Sequence, residues 1–269
     1  MKIISYIKSG NSFPIILESN NVRHLVKLRS GISGQYGIVS EWLGNKIGNF
    51  LGLNTQLPHW INIPKEINMD DIYQEVKDLI GKSIGINIGF NYLDDLKILQ
   101  SNELKNIEKQ QSTNTFLLDL IMLNIDRNSQ NTNIITSGDN LIPIDYESSM
   151  WIEELLHNKN LRNNPIILQK LRNSPLFQKI DEEDKIEFLD KLKNAPIKSL
   201  LEEIPDSLFD EDRKIIFEKA FEKMNGHNWN LDSTLKELNN LSKETEKELR
   251  LKQQLNQETF KRNFKKRLD

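Results

Sequence analysis

The chain has 269 residues, with 36 Lys and Arg against 39 Asp and Glu, a net charge of -3, and 37% hydrophobic and 28% charged residues. This is the composition of a globular protein with room for a sizeable core, and it excludes low-complexity chains and binders that rely on an overall basic charge. The absence of cysteine excludes disulfides, thiolate metal sites and cysteine nucleophiles, and the four histidines, His24, His59, His157 and His227, offer no i, i+4 pair for a zincin-type site.

Residues 2–8, 14–18 and 22–28 are short β-branched runs separated by Ser9-Gly10-Asn11-Ser12 and Ser19-Asn20-Asn21, a pattern that predicts a three-stranded antiparallel meander. A loop punctuated by Gly31, Gly34 and Gly37 follows. Its spacing is not that of a dinucleotide fingerprint, but backbone amides there suit a phosphate cradle, with a plain connector as the alternative. From Ile38 to Leu51 the periodicity places Trp42, Leu43, Ile47, Phe50 and Leu51 on one helical face, and Gly52 is the stop signal. The run Leu57 to Ile63 contains Pro58 and precedes Pro64, which predicts an edge strand and then a boundary between two lobes.

Beyond Pro64 the pattern is helical, over Asp70 to Ile80, Tyr92 to Gln100 and, most strongly, Thr113 to Asn124. Gly81-Lys82-Ser83 imitates the end of a P-loop, but the required glycine five residues earlier is Val76, so the triplet reads as a helix end. The apolar run Phe116 to Leu123 marks a central helix and leaves Asp119 in need of a buried partner, either Arg127 or the loop backbone. Strands return once, as Thr132 to Thr136 and Leu141 to Asp145 around the turn Ser137-Gly138-Asp139-Asn140. From Trp151 onward the chain reads as helices joined at Pro165, Pro175, Pro196 and Pro205, ending in a charged, proline-free helix from Ser242.

The segment Asn124 to Asn131 places polar residues between the most apolar helix and the hairpin. Closing the hairpin brings its strand ends to about 5 Å, so Asn131 approaches Asp145, with Asp126 one short loop away. Two carboxylates and an amide oxygen are hard donors of the kind Mg²⁺ takes when phosphates complete its shell. A carboxylate five residues before the amide can accept the proton of an attacking hydroxyl. The residues thus point to phosphoryl transfer, while a solvated turn at Asp126-Arg127 and a surface lysine at Lys27 are the blander alternatives.

The motif D-R-x-x-x-N from Asp126 to Asn131, followed by a hairpin and Ile144-Asp145, resembles the catalytic and metal-binding segments of HipA-like kinases and, more distantly, of phosphatidylinositol-kinase-like enzymes. Leu25-Val26-Lys27, Ser40-Glu41-Trp42-Leu43 and Leu51-Gly52-Leu53 resemble the small stand-alone HipA-like kinases, as does Ile204-Pro205-Asp206 near the end of a resemblance that covers about residues 1–215. It implies an α+β, two-lobed protein-kinase-like fold, with a β-rich N-lobe over 1–64, a helical C-lobe over 65–241 and a charged C-terminal helix over 242–269. It also implies Asp126 as catalytic aspartate, Asn131 and Asp145 as Mg²⁺ ligands, and Lys27 as the α-phosphate contact with Glu41 as its ion-pair partner. Gly31 and Gly34 are the candidate phosphate-cradling glycines. The implied activity is transfer from ATP to Ser or Thr hydroxyls of a protein, with Mg²⁺ as cofactor.

Three features depart from that pattern. Asn128 stands where His often follows D-R, Tyr146-Glu147 replaces a frequent Phe-Gly, and the first hairpin lacks the glycine-rich signature of protein kinases. A nucleotide-binding pseudokinase, or a scaffold that docks a partner protein through its helical C-terminal third, is the alternative reading. Lys261 to Arg267 carry five basic residues around Phe264. Packing of Leu255, Phe260 and Phe264 on the body is expected there, with a partner helix or a nucleic-acid contact as the other readings. Without an apolar run of membrane-spanning length, the expected location is the cytoplasm, away from membranes. Ser30 and Ser33 are the candidate acceptors for self-phosphorylation.

Overall fold

The alternating runs of the first 27 residues form the meander β1 (Lys2–Tyr6), β2 (Ile15–Ser19) and β3 (Val22–Lys27) in the computed structural model, which describes residues 1–8, 13–31, 33–69, 72–137, 140–178, 180–226 and 231–241. Next come α1 (Gly34–Phe50), β4 (His59–Ile63), α2 (Gln74–Lys82) and β5 (Gly85–Asn91). The strands make one antiparallel sheet in the order β1-β2-β3-β5-β4, with β4, which starts just after Pro58, at the expected edge. Helix α1 starts four residues before the apolar periodicity does. It stops in a Schellman motif, in which Leu53 N donates to Gly48 O at 2.9 Å and Gly52 N to Asn49 O at 3.0 Å, with Gly52 at φ +85°. Phe50, expected on the core face, is 44% exposed, while Leu51 beside it is buried with Trp42, Leu43 and Ile47.

Two expectations need correction. The sheet does not end near Pro64: β5 inserts between β3 and β4, so the β-rich part reaches Asn91. Gly85, Asn87, Gly89 and Asn91 are residues that strands usually avoid, and this hid β5. Gly89 is needed there, since a Cβ would stand 2.4 Å from Ile61 Cδ1. Tyr92 to Gln100 is extended instead of helical, turning at Asp95 (φ +57°) into β6 (Lys97–Ile98). That short strand gains its hydrogen bonds from a distant partner, β7 (Ile134–Ser137), which also pairs with β8 (Asn140–Pro143) as the expected hairpin.

After a 3₁₀ turn at Glu103–Asn106, the central helix α3 (Lys109–Met122) is buried from Phe116 through Met122. Among the described residues that follow, the elements are helices: α4 (Trp151–Leu156), α5 (Pro165–Arg172), α6 (Glu182–Lys193), α7 (Ile197–Glu202), α8 (Glu211–Gly226) and α9 (Leu231–Asn240). The charged helix expected over 242–269, with Leu255, Phe260 and Phe264, lies outside the described residues.

The apolar core has two parts. A smaller one, with Ile15, Leu17, Val26, Ile63, Val76 and Ile80, fills the space between the sheet and α2. The larger joins α1 and the opposite sheet face to α3 and the following helices. Helix α1 is therefore packed into the helical lobe as firmly as onto the sheet, and it bridges the two. Among the described residues no helix is long and apolar enough to cross a membrane.

Candidate active site

The pairing Leu25↔Phe90 and Lys27↔Ile88 puts Lys27 on the sheet face that packs toward α1, because strand side chains alternate. Its Nζ meets three carboxylates: Asp145 Oδ1 at 2.6 Å, Glu41 Oε2 at 3.1 Å and Glu147 Oε2 at 3.6 Å. Glu41, on α1, is 2% exposed, and Asn45 Nδ2 donates to its Oε1 at 3.2 Å and to its backbone oxygen at 2.8 Å. Burial opposes the charge of Lys27, but Asp145, Glu41 and Glu147 outweigh it and hold the pKa well above the ordinary lysine value. Burial raises the pKa of Glu41. Lys27 offsets this in part, whereas Asp145 and Glu147 add to it.

The loop after α3 is braced by one guanidinium. Helix α3 ends at Leu123 in the left-handed region, φ +54°, and the chain turns back. Arg127, fully buried, donates from Nε to Asp119 Oδ2 at 2.6 Å, from Nη1 to the Thr132 and Asn133 carbonyls, and from Nη2 to Ile144 O at 3.3 Å. Asp119 thus finds the partner its place in an apolar helix demands, and Asn124 Nδ2 adds a second donor at 3.0 Å. A further arginine, Arg162, donates to the Leu120 and Ile121 carbonyls at 3.1 and 2.6 Å, capping the helix from which the loop departs.

Within the loop, Asn128 Oδ1 accepts from the amides of Gln130 and Asn131 at 2.9 and 3.0 Å, so the residue at the expected histidine position shapes the turn. Half-buried Asp126 accepts from Asn131 Nδ2 at 2.9 Å and from Asn133 Nδ2 at 3.3 Å. Burial and, second, the charge of Asp145 raise its pKa against those two amides. The hairpin ends close as Ile144 N donates to Asn133 O at 2.9 Å, and Asp145 then takes φ +69°, a left-handed conformation that Asp tolerates better than most residues.

The expected residues fall into two linked groups, Lys27 with Glu41 and Asp145, and Asp126 with Asn131, coupled by the mutual field of Asp126 and Asp145. Among the described residues no cluster of three or more His, Asp and Glu is arranged to hold a metal. Asn131 turns its amide nitrogen to Asp126, and Asp145 turns a carboxylate oxygen to Lys27. An amide oxygen and a carboxylate are hard donors of the kind Mg²⁺ takes when phosphates supply its other ligands. Gly31 and Gly34 do not present the expected cradle. Their amides donate at 2.9 Å to Leu28 O and Gly31 O, so the turn itself consumes them. Ser30 is likewise engaged, donating to Leu79 O at 2.8 Å and accepting from Ser83 Oγ at 2.7 Å. Sequence reasoning passed over Glu147 and Asn133 as site residues; their one signal is a polar side chain two positions after Asp145 and two after Asn131.

The chain belongs to the HipA-like kinase family, whose family model matches residues 1–244. Its fold is accordingly an α+β kinase fold with a β-rich and a helical lobe. Among solved structures it is similar to CtkA, a Helicobacter pylori proinflammatory kinase, at 16% sequence identity and a TM-score of 0.47, the match covering 84% of this chain and 96% of that one. No curated protein matches it.

Proposed function

We propose that this protein transfers the γ-phosphoryl group of ATP, with Mg²⁺, to a Ser or Thr hydroxyl of a protein. The observation that carries this reading is the convergence of Lys27, Glu41 and Asp145, from β3, α1 and the exit of β8, beside the loop that holds Asp126 and Asn131. Family membership supports the kinase class, and the Ser/Thr protein substrate rests on resemblance to that family.

In this reading Asn131 and Asp145 hold Mg²⁺, which neutralises phosphate charge when bound. Lys27, kept charged by its carboxylates, contacts the phosphates, and Glu41 orients it from α1. Asp126 accepts the proton of the attacking hydroxyl. As the hydroxyl oxygen bonds to the γ-phosphorus, the bond from that phosphorus to the bridging oxygen breaks, and ADP leaves with the electron pair. Burial makes the Asp126 carboxylate a stronger base than one in water, which suits this role.

The test is ADP formation together with intact mass after incubation with ATP and Mg²⁺. ADP release, or a gain of phosphate mass, that is lost in Asp126→Ala supports the proposal. Nucleotide binding without either product establishes the pseudokinase reading, and equal turnover in wild type and Asp126→Ala rules this mechanism out.

A further inference from the structure

We infer that Glu147 is a positioning residue for Lys27, holding its ammonium when Asp145 turns to the metal; this rests on the kinase reading above. In the structure Asp145 is the nearest of the three carboxylates around Lys27, at 2.6 Å. Glu147 Oε2, at 3.6 Å, is too far for a hydrogen bond but close enough for strong attraction of opposite charges. Asp145 cannot serve two cations equally, because an oxygen on a divalent ion next to an ammonium brings positive charges together. Once a metal claims Asp145, the carboxylates left to Lys27 are Glu41 on α1 and Glu147 after β8. One carboxylate lets the ammonium pivot about it, whereas two from different elements fix where Nζ lies.

The backbone of Glu147 is anchored to the same helix that carries Glu41. Gly37 and Gly44 lie two turns apart on α1 and open a groove for residues 146–147. A Cβ at Gly44 would stand 2.5 Å from Tyr146 Cγ, and one at Gly37 would stand 3.1 Å from Glu147 O. Ser40 Oγ donates to Ser149 O at 3.5 Å along the same line. Glu41 and Glu147 therefore keep their relative spacing, and the Glu147 side chain, 13% exposed, is only weakly screened. A third carboxylate also repels phosphate, so positioning and repulsion make opposite predictions for nucleotide affinity.

The experiment compares wild type with Glu147→Gln and Glu147→Ala in the full chain, titrating a fluorescent ATP analogue with Mg²⁺ and, separately, with EDTA. Positioning predicts affinity about fivefold weaker with Mg²⁺, the scale of one ion pair of about 1 kcal/mol, and little change with EDTA, where Asp145 still holds Lys27. KM for ATP should rise more than kcat falls, and Glu147→Gln should have no effect in a Lys27→Ala background. Equal weakening in both media would mark Glu147 as merely structural and overturn the inference, as would tighter or unchanged Mg·ATP binding. Wild type that binds the analogue in neither medium would instead remove the kinase reading, and this inference with it.

Discussion

Lys27 Nζ donates to Asp145 Oδ1 at 2.6 Å, joining residues 118 positions apart in the chain. In this state the proposed phosphate contact and the proposed metal ligand neutralise one another. A metal that takes Asp145 frees Lys27 for the phosphates, so the two ligands should bind synergistically. In isothermal titration, Mg²⁺ should tighten ATP binding to wild type and to Asp126→Ala, and should cease to do so in Asp145→Ala. Turnover should fall about 10²- to 10⁴-fold in Asp126→Ala, the range for loss of a general base.

The raised pKa of Asp126 has opposite consequences for rate and stability. A base works unprotonated, so kcat should fall as pH drops through that pKa, with the acid limb above the usual aspartate value of roughly 3.9. For stability, a carboxyl with a raised folded pKa contributes fully below its unfolded pKa, and the contribution is lost as pH rises through the folded one. Replacing the charge by Asp126→Asn should therefore raise the melting temperature at neutral pH while removing transfer. A variant that melts lower at neutral pH would contradict this account.

Arg127→Ala leaves the buried Asp119 carboxylate without a counter-charge, with the Asn124 amide as its remaining side-chain donor, and takes the donor from the Thr132, Asn133 and Ile144 carbonyls. Losing one partner of a buried pair costs about 3–5 kcal/mol, which denaturant unfolding should resolve. The pair between Lys46 and Glu203, whose Glu203 side chain is 46% exposed, provides the contrast. Glu203→Ala should cost no more than about 1 kcal/mol, since the Glu203 carbonyl still accepts from Trp60 Nε1.

Gly44→Ala tests the packing of α1. The added methyl meets Tyr146 Cγ at 2.5 Å and Met122 Cε at 2.9 Å, contacts that the helix can relieve only by moving outward. Overpacking of this kind costs about 1–3 kcal/mol. Because Glu41 rides on α1, the variant should lose Mg·ATP affinity as well as thermal stability. Gly81→Ala, where a Cβ has nothing within 4 Å, should do neither.

Periodicity along the chain was enough to reveal the meander, α1, α3 and the β7–β8 hairpin, because each buries a face whose spacing is set locally. The closing of the hairpin was expected to bring Asn131 toward Asp145; the hydrogen bond that the structure gives Asn131 is to Asp126, five residues back in the same loop. Asp119 announced its need for a partner by standing alone in an apolar helix, and Arg127 met it. Strand β5 was hidden because Gly85, Asn87 and Gly89 carry no strand signal; its place between β3 and β4 comes from pairing on both edges and from the close approach of Ile61 at Gly89. The amides of Gly31 and Gly34 looked free and are consumed by a turn that residue spacing does not encode. Resemblance implied Glu41 as the partner of Lys27, but the approach of Asp145 and Glu147 to the same ammonium depended on tertiary packing. Glu147 reaches it because glycines of α1 admit the chain leaving β8, a contact between surfaces that no one-dimensional pattern contains.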